Sequence, residues 1–347
     1  MYNNEVQTRP FPACPVCGSG GSPLYDGLSD RVFNAPGLWD MRKCNNQDCG
    51  TLWLDPMPVE ADLPRLYAGY YTHQSPSLPR SSKRLRALLD RVLDARLHAR
   101  YGYERSSRSW IDRLLALAAY LHPGWCDSMD AGVFHLHAQP GGRLLEIGCG
   151  GGAAMQFMKR RGWEVTGLDF DEGAVSNARS KGLDVRQGQL SAQAFANDCF
   201  DAVVMSHVIE HVPAPGELLA ECRRILKKGG ILVVLTPNAA SRGHKRYGRD
   251  WRGLEPPRHL QVFTLKSLAY IANGSGYADV ETFTSMNGFV YQDLASKELA
   301  AGKKHSMGGK VTVIRRLLGH IMWFGLGWRN VFLHRRDGEE AVLVCRK

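Results

Sequence analysis

"LLEIGCGGGAAMQFM", Leu144 to Met158, is the stretch on which the reading of this chain turns. An apolar run closes in a cluster of glycines and gives way to residues with helical spacing, so the segment reads as strand, tight turn and helix. Gly148-x-Gly150-x-x-Ala153 matches the spacing at which glycines let backbone approach a dinucleotide pyrophosphate at a helix N-terminus. A tight turn with no ligand has the same pattern, because glycine is frequent in this chain. The neighbours therefore decide what the turn approaches.

Outward from the turn the pattern alternates. "RLLEIGC", "EVTGLDF", "DVRQG", "FDAVVMSH" and "ILVVLTPN" read as strands, and "AAMQFMKRRG", "GAVSNARSKG" and "PGELLAECRRILKKGG" as helices. Short apolar strands alternating with helices predict an α/β fold whose mostly parallel sheet is covered on both faces. Ligands in such sheets bind beyond the carboxyl ends of the strands, where all of these turns fall.

Glu146 stands two residues before the first glycine. A carboxylate there opposes a pyrophosphate, whereas it suits a cofactor that carries an ammonium and a sulfonium and no phosphate. That favours S-adenosylmethionine over a nicotinamide dinucleotide. Asp169 ends the next strand, where an acidic side chain can accept ribose hydroxyls from either cofactor. Gln189 and Leu190 in "RQGQL" are placed to hold an adenine, although an ordinary polar loop reads the same way.

"LLEIGCGGG", "VTGLDFD", "FDAVVMSHVIEHV", "LKKGGILVVLTPN" and "PPRHLQVFTLKSLAYIANGSGY", in that order, resemble the class I S-adenosylmethionine-dependent methyltransferases. More narrowly, they are similar to the group of ubiquinone-biosynthesis O-methyltransferases and bacterial sugar methyltransferases. The resemblance covers about Arg143 to Tyr277 and reaches more loosely to "DGEEAVLVCRK", which looks like the last strand of an antiparallel hairpin. It implies a Rossmann-like sheet, with Glu146, Gly148, Cys149, Gly150 and Gly152 around the amino-acid part of the cofactor. It also implies Asp169 and Phe170 at the ribose, Gln189 and Leu190 at the adenine, and Ser206 with His207 beside the methionine moiety. Where the family often has Asp or Thr, this chain has Gln189. "MSHVIEHV" stands where methylases of exocyclic base amines have Asn-Pro-Pro-Tyr or Asp-Pro-Pro-Tyr, which argues against a nucleobase amine as acceptor.

A hydroxyl acceptor must lose a proton, and histidine titrates near working pH. His207 and His211 share a face if a helix begins between them. His259 lies in "PPRHLQVF", behind a loop carrying Trp251 and Arg258. That loop closes over the site in similar enzymes, so His259 is the preferred base, with His207 and His211 as alternatives. Trp251 and Arg258 are expected at the substrate, Arg258 as an anchor for an anionic group. The competing reading has these histidines simply bracing their loops.

Cys14-x2-Cys17 and Cys44-x4-Cys49, each pair followed by glycine, read as two knuckles offering four thiolates to a structural zinc, the alternatives being a redox pair or two unrelated turns. The remaining cysteines, among them Cys199, Cys222 and Cys345, read as free buried thiols. The apolar positions of Leu85–Leu97 and Trp110–Leu121 follow helical spacing. The expected chain is a zinc-ribbon module over 1–58, a helical connector over 59–140 and the methyltransferase unit over 141–347, with a helical insertion at 286–336.

The 347 residues, 44% hydrophobic and 22% charged, describe an ordinary globular composition. Neither a secretory leader nor a spanning helix is expected, which makes the cytoplasm the default compartment and favours thiols over disulfides. The net charge of +10 is concentrated in Arg80–Arg113, with ten basic and four acidic residues, and in Lys297–Lys347, with eleven and four. The second stretch holds "VTVIRRLLGHIMWFGLGWRNVFLHRR", expected to cap the site, form a dimer contact or lie on the inner face of a membrane. The resulting expectation is methyl transfer to oxygen of a small-molecule or carbohydrate acceptor. Its alternatives are an RNA methyltransferase gripping phosphates with ribbon and basic helices, a C-methyltransferase acting on a nucleotide sugar, and a zinc-ribbon adaptor with a degenerate core.

Overall fold

The computed structural model describes residues 6–67, 83–104, 109–303, 313–333 and 336–347. Parts of both basic stretches, 80–82, 105–108, 304–312 and 334–335, lie outside the described residues.

At the front, β1 (Thr8–Arg9) pairs with β5 (Met57–Pro58), while β2 (Gly21–Leu28), β3 (Trp39–Cys44) and β4 (Leu52–Leu54) form an antiparallel sheet. Three helices follow: α1 (Lys83–Tyr101), α2 (Trp110–Ala119) and α3 (Pro123–Gly132). Helix α3 has a clear start: Pro123 sits in its first turn and His122 Nδ1 accepts from Trp125 N–H at 3.2 Å.

The main unit runs β6 (Arg143–Ile147), α4 (Ala153–Arg160), β7 (Glu164–Asp169), α5 (Glu172–Ser180), β8 (Asp184–Gln187), β9 (Phe200–Ser206), α6 (Pro215–Ile225) and β10 (Leu226–Pro237). Next come α7 (Arg242–Tyr247), β11 (Gln261–Val262), α8 (Leu265–Gly274), β12 (Ala278–Ser285), α9 (Phe289–Ala300), α10 (Val313–Leu333) and β13 (Glu340–Arg346). Seven strands form one sheet in the order β12-β13-β10-β9-β6-β7-β8. It is parallel from β10 to β8, and β13 is antiparallel to both of its neighbours. The helix read through "KKGG" stops at Ile225 instead. Leu226 turns extended and pairs with Phe200, and Gly229 takes the positive φ of 75° that turns the chain back into the sheet.

Alternation along β9 shows how the sheet is buried. Val203 and Met205 enter one core with Leu219 and Ile225 of α6 and Leu268 of α8. Ala202 and Val204 face the other way, into a core completed by Met158 of α4, Leu97 and Tyr101 of α1, and Val133 and Phe134 beside α3. Helix α1 and the end of α3 are therefore part of the wall of the main unit.

Strand β11 adds to the free edge of β4, with Gln261 opposite Trp53 and Val262 opposite Leu52, so the front sheet reads β11-β4-β3-β2. Ribbon residues Trp39, Met41 and Trp53 share one apolar cluster with Trp251, Leu254, Leu260 and Val262. Shared pairing and a shared core hold the loop 248–260 against the front module.

Candidate active site

The turn after β6 is built by backbone conformations that side chains rarely adopt: Gly148, Gly150 and Gly152 have φ of 72°, 50° and 75°. A Cβ on Gly148 would meet Val208 Cγ2 at 2.4 Å, and one on Gly152 would meet Leu183 Cδ1 at 2.3 Å. Gly148 N–H donates to Leu168 O at 2.7 Å, which ties the turn to β7. Cys149 is buried behind it against Met155 and Leu183.

Glu146 projects from the end of β6 into this turn. Its side chain is buried, and Oε2 has no hydrogen-bond partner among the described residues. Burial, followed by the charge of Asp169, pushes its carboxyl up to about 8. Asp169 Oδ2 accepts from Gly150 N–H at 2.8 Å and Oδ1 from Asp171 N–H at 2.9 Å, so one carboxylate organises the tip of the turn and the entry to α5. Phe170 is half-exposed and meets Tyr67 edge to face, with ring centroids 5.1 Å apart. Gln189 lies at the surface with Nε2 3.1 Å from Glu60 Oε1, and Leu190 is buried. An orphaned buried carboxylate beside glycine backbone fits an ammonium-bearing ligand and opposes a pyrophosphate.

Beyond Ser206, His207 takes a φ of 56°, unusual for a side-chain-bearing residue and frequent at functional sites. Its Nε2 lies 3.0 Å from Glu340 Oε1 and its Nδ1 3.3 Å from Glu210 Oε1. Desolvation works against its charge, but the hydrogen bonds to Glu210 and Glu340 outweigh it and raise His207 to about 10. Both carboxylates favour the charged ring, which works against its taking up a further proton. His207 and His211 do not share a helical face. Only a single turn, Ile209–His211, forms between them, and the positive φ swings His207 toward β13.

His211 and His259 instead converge with the fully buried Glu210. One ligating atom from each lies within 4.8 Å of the others, and the two rings stand edge to face at 4.8 Å. His211 Nδ1 donates to Arg258 O at 2.9 Å and His259 Nδ1 to Gly253 O at 2.8 Å, so each ring keeps Nε2 as its acceptor. Glu210 is desolvated, yet His207 and the two other histidines hold it down at about 2, while burial lowers His259 to about 4. Such a set can accept a proton. It is also a His-His-Glu donor set of the kind that binds a divalent transition metal, its tautomers fixed by backbone carbonyls.

A family model described as "Methyltransferase domain" matches residues 101–282, more than half of the chain. The chain belongs to the methyltransferase-domain family. It is 40% identical over 108 residues to the ubiquinone biosynthesis O-methyltransferase of Hahella chejuensis, covering 29% of this chain and 45% of that protein. The ubiquinone biosynthesis O-methyltransferase of Caulobacter vibrioides is 41% identical over 141 residues, covering 35% and 56%. The chain thus spans about half the length of the curated relatives it matches. A solved S-adenosylmethionine-dependent methyltransferase from Archaeoglobus fulgidus superposes with a TM-score of 0.44 at 18% identity, covering 67% of this chain and 99% of that one.

Two residues expected at the substrate of this methyltransferase-domain chain are enclosed. Arg258 is buried between Asp30, 2.9 Å from Nη1, and Glu255, 2.9 Å from Nε, and also donates to Leu66 O. Trp251 is buried with its Nε1 3.0 Å from Glu339 Oε2. Both brace the loop between ribbon and sheet, because the front module packs over that loop. Tyr67 is a neighbour the sequence did not signal. Its hydroxyl lies 3.0 Å from His211 Nδ1, and its ring stands between His211 and Phe170.

In the front module, the four sulfurs of Cys14, Cys17, Cys44 and Cys49 lie within 4.8 Å of one another, with Cys14–Cys49 at 3.7 Å and Cys17–Cys44 at 3.4 Å. Tetrahedral zinc with Zn–S near 2.3 Å separates its sulfurs by about 3.8 Å, so the cluster fits that ion. The crowded thiols already share protons: the hydrogen bond from Cys14 draws Cys49 down to about 5 and shifts Cys14 upward.

Proposed function

We propose that the chain transfers a methyl group from S-adenosylmethionine to a hydroxyl of a small-molecule or carbohydrate acceptor. The observation that carries this reading is the buried Glu146 carboxylate, unpartnered at Oε2 among the described residues, beside a turn built on three glycines at positive φ. S-adenosylmethionine supplies a methyl carbon activated by its sulfonium. In this reading Glu146 receives the amino-acid ammonium, Gly148, Cys149, Gly150 and Gly152 approach the same part, and Asp169 with Phe170 borders the ribose. Gln189 and Leu190 flank the adenine, and Ser206 with His207 lies beside the methionine moiety. Methyl transfer is an in-line displacement, so the protein mainly aligns the reactants and removes one proton. His211, the more exposed ring of the cluster, takes that proton at Nε2, while Glu210 offsets the charge and His259 completes the wall. The four ribbon cysteines hold zinc for structure.

Identity to named O-methyltransferases across part of the chain supports oxygen as the methylated atom. Titration calorimetry with S-adenosylmethionine and with NADH tests the cofactor, and labelled methyl transfer to a panel of phenolic and sugar hydroxyls tests the acceptor. Tight NADH binding with the sulfonium compound ignored would refute the reading.

Among the described residues no helix is long and apolar enough to cross a membrane. The exposed Trp110, Leu114, Leu117 and Leu121 of α2 and its end, with Ile321 and Phe324 of α10, lie on or beside the two basic stretches. That combination supports a peripheral contact with an anionic membrane surface as part of the same proposal. Co-sedimentation with anionic vesicles, weakening as salt is raised, tests it.

A further inference from the structure

A cavity of about 210 Å³ lies at the seam between the ribbon and the loop 248–257. Three guanidinium groups line it, Arg31, Arg249 and Arg252, against two carboxylates, Asp30 and Glu255. Both carboxylates are already engaged. Asp30 accepts from Val32, Phe33 and Ala35 N–H at 2.8–2.9 Å and from Arg258 at 2.9 Å. Glu255 accepts from Arg258 and from Arg252. Asp30, Arg258, Glu255 and Arg252 thus form one alternating chain of buried charge, and its last member faces the cavity. Arg252 is 7% exposed, and its Nε has no hydrogen-bond partner among the described residues.

Across the cavity, Arg31 reaches Asp250 at 2.6 Å and Leu299 O at 3.0 Å, and Arg249 donates to Asp26 O at 3.1 Å. Three guanidinium groups against two carboxylates that Arg258 and Arg252 already engage, with an apolar wall that includes Trp251, together favour an oxyanion. Glu255 also borders the histidine cluster, with Oε2 3.8 Å from His259 Nε2. The cavity and the cluster therefore share a wall.

We infer that this cavity receives an oxyanion of the acceptor, a phosphate or a carboxylate, carried some atoms away from the hydroxyl that is methylated. The word acceptor rests on the methyl-transfer reading above; the anion site does not. The ribbon, which supplies Asp30 and Arg31, thereby becomes part of substrate selection as well as a structural cover.

Thermal melts of the full chain with inorganic phosphate or with acetate, at matched ionic strength, test the site. One of the two ions is expected to raise Tm, and which one does so assigns phosphate or carboxylate. In an Arg31→Ala/Arg249→Ala double variant, whose replaced side chains reach solvent, the affinity for that ion is expected to fall about tenfold or more. S-adenosylmethionine affinity, measured on the same protein, is expected to stay unchanged. No rise with either ion, or an equal rise in the double variant, overturns the site while leaving the cofactor reading intact. Anion binding without S-adenosylmethionine binding supports the site and removes the methyl-transfer reading instead.

Discussion

His207 Nε2 and Glu340 Oε1 meet at 3.0 Å, joining the end of β9 to the first residue of β13 across the mouth of the site. Asn287 Nδ2 reaches the same oxygen at 3.4 Å, and Ser128 of α3 donates to Asn287 Oδ1 at 3.1 Å. A residue held at positive φ is thus clamped from two other elements. His207 is raised from 6.5 to about 10, so its stabilising effect is fully present below pH 6.5 and is lost as pH rises through about 10. The melting temperature of His207→Gln should lie below wild type at pH 6, with the gap closing toward pH 10. The ring is 40% exposed, so water screens part of the effect. A gap that stays constant with pH would show that the clamp works through packing alone.

Burial pushes the Glu146 carboxyl up to about 8, and an ammonium needs its ionised form. Affinity for S-adenosylmethionine should therefore rise with pH up to about 8 and fall again as the ligand's own α-amino group, with a usual value near 8, loses its proton. Glu146→Gln should weaken binding about tenfold or more and flatten the rising limb, as read by calorimetry across pH.

Gly152→Ala forces a side chain into a left-handed conformation with Leu183 at 2.3 Å. The expected cost is about 2 to 4 kcal/mol of stability, with cofactor binding weakened because the turn must shift. Chemical denaturation measures the first and calorimetry the second. Retention of wild-type stability would show that the turn relaxes freely.

Replacing His211 or His259 by Ala should lower turnover by about a hundredfold while S-adenosylmethionine affinity stays close to wild type. Should the cluster work as a metal site instead, elemental analysis would find a second metal per chain that His259→Ala loses while the ribbon zinc stays, an outcome that simple base catalysis does not produce.

Elemental analysis should find one zinc per chain. Thr264 Oγ1 donates to Cys49 O at 2.6 Å and β11 pairs with β4, so the metal also supports the loop carrying His259. Cys49→Ser should lower zinc content and Tm and expose the loop 248–260 to proteolysis. Unchanged protease resistance would separate the ribbon from the loop.

The strands and helices from Arg143 to Ile225 follow from apolar periodicity and glycine placement, because each is set within a few residues of chain. The same holds for the cysteine pairs, whose spacing already brings each two sulfurs to one turn. Arg258 reads differently in sequence and in space. Its charge suggested a substrate anchor, yet Asp30, far away in the chain, and Glu255 bury it. No local pattern announces such a partner.

What the chain's own order of residues determined was the alternating sheet, the glycine turn with Glu146 beside it, and the four-cysteine module. Those rest on local sterics and on the periodicity with which side chains meet a core. Only the tertiary structure decided which histidines converge, that His207 is held by Glu340, and that the ribbon anneals through β4 to β11 and closes an arginine-lined cavity. These depend on contacts between residues far apart in the chain, which form only when the shared cores of ribbon, connector and sheet bring them together.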